Sequence, residues 1–315
     1  MPKNFNHLGS RWIKAPISML LEFSDHFHYP ICLVLNNDKK VIIDYDSESV
    51  RPRLESFGDK NVTHVYLREA DLVSFMREIK ESLNLKKNNN DLEAEAVVLT
   101  LSGCFELVRN SFHSLGLSST NIDLAVEVNM LSIKMLSESP NLVSLLKKME
   151  KDLNPYFIRA ILSSSMSTCL VDAYSWGSQS IKEKVSLACM IRQLNWNQEH
   201  FKIYDEGSSI KKIEKLPLEM ANLLKANGTF SKEVIEIVEQ SFETPDAKGF
   251  PRGLGAASIG RLSALSIVSH SLIQKLSFYK YDYNKKDEIL SELKEQFKEG
   301  QFIQIMEGVC RMIAA

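Results

Sequence analysis

Residues 242–262 read FETPDAKGFPRGLGAASIGRL, a loop of prolines and glycines between two stretches with helical apolar spacing. Glycine lets a backbone approach a ligand or another chain closely. Lys248, Arg252 and Arg261 add positive charge that can hold a phosphate or a carboxylate. A tight helix-to-helix connection with solvated charges explains the same residues, so the loop by itself leaves both interpretations open.

The chain around this loop is predicted to be helical. It has 13 Gly and 9 Pro in 315 residues, which favours long helices over a turn-rich β protein. Helical apolar spacing occurs repeatedly after Asp91, at residues 92–115, 121–136, 142–153, 156–176, 181–196, 216–226, 232–242, 258–276 and, as two helices, 285–315. We therefore expect an all-α domain over residues 89–315.

The N-terminal part has a different pattern. Residues 30–46, PICLVLNNDKKVIIDYD, contain two β-rich runs separated by polar residues, which predicts a hairpin. A third β-rich run at 62–69 leads into a helix that Asp71 can cap. The polar stretch 86–90 suits a linker. The prediction is a small α/β domain over residues 1–88, and an α+β chain overall.

Charge and cysteine content exclude several classes of function. The formal net charge is −2, so no overall basic field favours nucleic acid or an anionic membrane as a partner. The 5 cysteines form no CxxC pair, and reduced, buried thiols are expected. No uncharged run approaches the ~18 residues that span a bilayer. These observations predict a protein of the reducing cytoplasm.

The loop resembles the signature of the HD-GYP family, metal-dependent cyclic di-GMP phosphodiesterases built on the helical HD fold. That signature is His-His-Glu, two residues, Asp-Gly, one residue and Gly-Tyr-Pro. It continues with Gly-Leu, one residue, Gly, two residues and Ile. Phe250 replaces the tyrosine, and the spacing is kept with identical residues at Glu243, Asp246, Gly249, Pro251, Gly253, Leu254 and Ile259. The resemblance extends over about residues 154–272.

The positions that hold metal in the family read differently in this sequence. They are aligned with Ala160, Arg192, Gln193, Leu216, Ser241, Phe242 and His270. Ala, Leu and Phe side chains offer no lone pair, and an arginine would bring a fixed positive charge where cations should bind. Without a metal there is no activated water to attack phosphorus. The resemblance therefore implies a pseudoenzyme with no metal and no cofactor.

The leading prediction is a bacterial signalling or scaffold protein that binds another protein, such as an enzyme of cyclic di-GMP metabolism, through residues 245–255. Phe250, Lys248 and Arg252 are expected to be exposed there. The alternative is a receptor that binds cyclic di-GMP or another nucleotide without cleaving it, through Arg192, Lys248, Arg252 and Arg261. An active phosphodiesterase with an unrecognised metal site is disfavoured, and a homodimer stays open.

One structural expectation follows from the lost ligands. Leu216 and Phe242, on facing helices, should pack with Ala160 and fill the former metal pocket with apolar side chains.

Overall fold

The computed structural model describes residues 11–23, 27–34, 40–43, 50–88, 94–138, 144, 148–149 and 151–314. The chain divides into two compact units, residues 1–157 and 158–315. The predicted boundary was residue 88, and the observed division lies further along the chain. The reason is that the first two helices of the predicted helical domain pack against the sheet and against other helices of the first unit.

A four-stranded antiparallel sheet lies in the first unit, with the strand order β1-β4-β2-β3. The strands are β1 (Trp12–Pro16), β2 (Ile31–Val34), β3 (Lys40–Ile43) and β4 (His64–Arg68). The predicted hairpin is β2 and β3, in which Ile31 pairs with Ile43. Its turn lies outside the described residues. In β4, Val65 and Leu67 are buried and alternate with more exposed residues, as expected for a half-buried strand.

Five helices complete the described part of the first unit. They are α1 (Ile17–Glu22), α2 (Val50–Gly58), α3 (Glu69–Asn88), α4 (Ala94–Leu115) and α5 (Ser119–Glu138). Helix α4 approaches α1 closely, since a Cβ atom on Gly103 would lie 2.6 Å from the Met19 Cβ. Helix α3 begins before Asp71, so this residue lies in the first turn and its carboxylate accepts a hydrogen bond of 2.6 Å from Arg68 Nε.

Helix α3 also takes up residues 86–88 of the predicted linker, and residues 89–90 lie outside the described part. The predicted helix at 142–153 falls largely outside it as well.

Eight helices are described from residue 155 onward. They are α6 (Pro155–Asp172), α7 (Gln179–Ile191), α8 (Gln198–Glu206), α9 (Leu216–Asn227), α10 (Lys232–Glu239), α11 (Arg261–Phe278), α12 (Lys286–Gln296) and α13 (Gln301–Ala314). Every residue from Ser263 to Ile273 is buried, so α11 is the central helix of the second unit. It contacts α7, α10, α12 and α13. Residues 240–260, between α10 and α11, contain the signature-like loop.

The cysteines are all described and none forms a disulfide. Cys32, Cys104 and Cys189 are buried as predicted, whereas Cys169 is exposed and Cys310 is partly exposed. Among the described helices, none is long and apolar enough to cross a membrane.

Candidate functional site

Three helices of the second unit meet around the Cys189 thiol. Its sulfur lies 3.6 Å from Ser167 Oγ on α6 and 3.6 Å from Ser266 Oγ on α11. Arg192 follows Cys189 by three residues and His270 follows Ser266 by four, so each lies about one helical turn from this junction. Two of the former ligand positions are thereby brought to the same region of the core.

Phe242 is the centre of an aromatic cluster in this region. The side chain is only 5% exposed. Its ring centroid lies 4.7 Å from that of Trp196 and 5.2 Å from that of Phe250, and both rings stack on it. The ring of Tyr204 meets it edge-on at 5.0 Å, and the imidazole of His270 does so at 5.8 Å. The position that the sequence resemblance aligns with a family histidine is thus occupied by an apolar ring surrounded by other rings.

The three residues expected to fill the pocket differ in burial. Ala160 and Phe242 are buried, whereas Leu216, the first residue of α9, is half-buried. Phe242 does not lie on a helix, because α10 ends at Glu239. The Ser241 hydroxyl donates to the carbonyl oxygens of Ile237 and Val238, at 2.7 and 2.8 Å, and so satisfies the end of α10.

Polar side chains at the remaining former ligand positions are also buried. Arg192, Gln193 and His270 have exposures of 1%, 1% and 2%. The guanidinium carbon of Arg192 lies 5.9 Å from the centroid of the Phe242 ring. Burial lowers the pKa of His270 well below its ordinary value, and the positive charges of Arg192 and Arg159 lower this pKa further. The imidazole is therefore neutral at neutral pH.

These side chains do not fit the metal cluster that the family resemblance implies. Ala, Leu and Phe supply no donor atom, and the hydroxyl of Ser241 is already bonded to its own helix. His270 is the one side chain at these positions with a ring nitrogen to offer, and the Arg192 cation repels a metal ion beside it. Within the described ranges, no group of three or more His, Cys, Asp or Glu side chains could hold a metal ion. No metal-dependent step can be derived from these residues.

Glu243 fixes the conformation of the signature-like loop. The side chain is 1% exposed. One carboxylate oxygen accepts the backbone N–H of Arg252 at 2.7 Å, and the other accepts that of Leu254 at 2.8 Å. The backbone N–H of Phe250 donates to the Phe242 carbonyl oxygen at 3.0 Å. Glu243 thus has a structural role that needs no metal, because charge-assisted bonds to backbone N–H groups are strong.

Asp246, Gly249 and Gly253 also maintain the conformation of this loop. The Asp246 carboxylate accepts hydrogen bonds from the Thr244 hydroxyl at 2.6 Å and from the Lys248 backbone N–H at 3.2 Å, and these bonds hold its pKa below the ordinary value. A Cβ atom at Gly249 would lie 2.4 Å from the Thr244 backbone nitrogen, so no side chain fits there. Gly253 has a φ of +65°, which favours glycine. The loop's own conformation therefore accounts for these residues.

Pro251 follows a cis peptide bond, and Leu254 is half-buried. Ile259 is buried at 3% exposure and leads into α11. Phe250 was expected to be exposed, but it is half-buried because its ring stacks on Phe242. The aromatic contact that the sequence assigned to a partner is thus made inside the chain.

The four cations predicted to form one anion or partner site have separate surroundings. Arg252 forms an ion pair with Glu239, and Lys248 lies 3.4 Å from the Asp246 carboxylate with 84% of its side chain exposed. The guanidinium of Arg261 lies over the Trp176 ring at 5.6 Å, and the guanidinium of Arg192 is buried.

Sequence reasoning missed helix α8, which supplies Tyr204 to the cluster. The signal was present, since the Asn197 side chain accepts the backbone N–H of His200 in a capping box and Gly207 ends the helix in the left-handed conformation. The helix was missed because most of its residues are polar. Trp196, just before α8, was predicted to be the last residue of the preceding helix, so its place in the aromatic cluster was not recognised.

Comparisons with known proteins give one informative match. No family model matches the sequence, and no curated protein matches it. The chain is similar to the solved structure of Bd1817, a HDG"Y"P protein from Bdellovibrio bacteriovorus, with a TM-score of 0.61 and 14% sequence identity. The match covers 95% of this chain and 99% of that chain. The predicted fold class is confirmed: the chain has an HD-GYP-like fold, with a small N-terminal sheet and a helical body.

Proposed function

We propose that this chain is a catalytically inactive HD-GYP-like signalling protein that acts by binding another protein. The packing around Phe242 carries the proposal. Its ring stacks on those of Trp196 and Phe250, so a hydrophobic cluster occupies a position that the family resemblance aligns with a metal ligand. Because an aromatic ring can neither ligate a metal nor activate water, this packing supports loss of hydrolysis.

The proposed contact surface is the loop at residues 245–255. The backbone N–H groups of Arg252 and Leu254 donate hydrogen bonds to the buried Glu243 carboxylate and hold the loop in place. The loop therefore loses little conformational freedom on binding. Lys248 and Arg252 project from it with side chains that are 84% and 53% exposed. Cations on a rigid loop suit an acidic surface of a partner. We propose a partner in cyclic di-GMP metabolism and, because all 5 cysteines are described and none forms a disulfide, a cytoplasmic location.

Charge reversal at Lys248 tests the contact surface. Lys248→Glu removes the most exposed cation of the loop. It ends the 3.4 Å contact with the Asp246 carboxylate, which is itself 48% exposed, and leaves the backbone bonds to Glu243 in place. Arg252→Glu is less suitable, because it would place two carboxylates together at the Glu239 pair. The matched control is Lys211→Glu, an exposed lysine outside the loop. We expect proteins captured from native lysate by the wild type to be lost with Lys248→Glu and kept with Lys211→Glu, at equal melting temperatures. Capture that survives Lys248→Glu would remove the loop as the contact surface.

The receptor alternative is tested by calorimetric titration with cyclic di-GMP. It has less support, because Arg252 is paired with Glu239 and Arg261 lies on Trp176 rather than with the other cations. Saturable binding without cleavage would favour the receptor function over the scaffold function.

A further inference from the structure

Arg192 is a buried cation with no counterion among the described residues. It follows α7, is 1% exposed, and none of its three guanidinium nitrogens donates a hydrogen bond to any of the described residues. An arginine side chain stays protonated in proteins, so it cannot escape burial by becoming neutral. A charge taken out of water without a partner is strongly unfavourable. The position therefore calls for a negatively charged group.

The neighbouring side chains do not supply that charge. Burial raises the pKa of the Tyr204 phenol to about 12, so this side chain is neutral at neutral pH. Asp205 is engaged by Arg159, whose two terminal nitrogens each lie 2.9 Å from one of its carboxylate oxygens. The Gln274 amide also donates to Asp205, at 3.3 Å. The ring of Phe242 offers only a weak cation–π contact at 5.9 Å. One positive charge is left unmatched around Arg192.

Further hydrogen-bond donors lie in the same region without partners. Both ring nitrogens of His270 lack a hydrogen bond in the described part of the chain, and its ring contacts the Phe242 ring that Arg192 also faces. The side-chain amide of Gln193, the next residue along from Arg192, is equally without a partner there. A neutral imidazole has one N–H to donate, and a guanidinium has five.

We propose that Arg192, with His270 as a second donor, binds a single oxyanion inside the second unit, either a phosphate or a carboxylate group. The proposed site would bind an anion, whereas the family's site binds metal cations. The difference arises because Arg192, a fixed cation, stands at a position aligned with a metal ligand. One unmatched positive charge suits a group with one negative charge. This inference is independent of the proposed protein partner, and each can fail without the other.

Two sources can supply such a group: a free ion, or the phosphate of a larger ligand such as a cyclic dinucleotide. The 1% exposure of Arg192 favours the free ion, because a small ion can be enclosed completely. Separate arms with inorganic phosphate, acetate and cyclic di-GMP distinguish these sources.

The test is thermal melting of the full chain in each anion against chloride at matched ionic strength, which removes general salt effects. A ligand that binds only the folded state raises the melting temperature in a saturable way. We expect this rise for wild type and for Lys211→Met, which loses an exposed charge, and no rise for Arg192→Met. Arg192→Lys, which keeps the charge but loses the planar fork, should show a smaller rise.

Equilibrium dialysis of wild type with radiolabelled phosphate keeps the test decisive if Arg192→Met does not fold. About one phosphate per chain, displaced by acetate or by cyclic di-GMP if these share the site, supports the proposal. A wild type that binds none of the three anions, or an Arg192→Met variant that keeps the full rise in melting temperature, overturns it.

Discussion

Phe242→Ala is the perturbation that most directly probes the filled pocket. The wild-type side chain is 5% exposed and contacts four rings, those of Trp196, Tyr204, Phe250 and His270. Truncating a buried phenylalanine costs about 3–5 kcal/mol, from lost transfer free energy and the cavity left behind. Each aromatic pair adds roughly 0.5–1.5 kcal/mol, so we expect the upper half of that range.

The assay is thermal unfolding, with fluorescence from Trp196, which stacks on Phe242, as one probe. For a unit the size of residues 158–315, each kcal/mol shifts the melting temperature by about 2–4 °C, so about 4–5 kcal/mol predicts a fall of roughly 8–20 °C. The matched control is Phe278→Ala, since Phe278 is 78% exposed on α11 and should cost less than about 0.5 kcal/mol. Equal melting of the two variants would refute the claim that Phe242 is the packed centre of the aromatic cluster.

Two further predictions concern the loop. Glu243→Ala removes the acceptors of the Arg252 and Leu254 amides, so hydrogen exchange at these two amides should become faster; unchanged protection would show that Glu243 does not hold the loop. Gly249→Ala should destabilise by about 1–3 kcal/mol, because its Cβ would lie 2.4 Å from a backbone nitrogen, whereas Gly255→Ala, with its nearest neighbour at 3.6 Å, should melt like wild type. Comparable melting of the two glycine variants would contradict the packing described for this loop.

Local sequence signals were sufficient for much of the secondary structure. The hairpin at residues 30–46 and the long helices were predicted because apolar periodicity extends over many residues. Strand β1 was not identified, because its sequence, WIKAP, ends in a proline and its burial does not alternate along the strand. Helix α8 was hidden by its polar composition, although its capping residues marked it.

Local signals could not predict which distant segments of the chain pack against one another. Helices α4 and α5 have the periodicity of any amphipathic helix, and nothing local shows that they pack against the N-terminal unit. Phe250 was expected to be exposed because it lies in a glycine-rich loop, yet its ring stacks on Phe242. The family resemblance aligned Arg192 with a metal ligand, but only the structure shows that it is buried with no counterion among the described residues.

Loss of catalysis is the central claim, and one measurement tests it most directly. Purified full-length chain is incubated with cyclic di-GMP and added Mn²⁺ or Fe²⁺, and the linear dinucleotide is quantified against a protein-free blank. The side chains at the former ligand positions predict no product above the blank and no stoichiometric metal on the protein. Product that increases with protein concentration, together with bound metal that is lost in His270→Ala, would contradict the account.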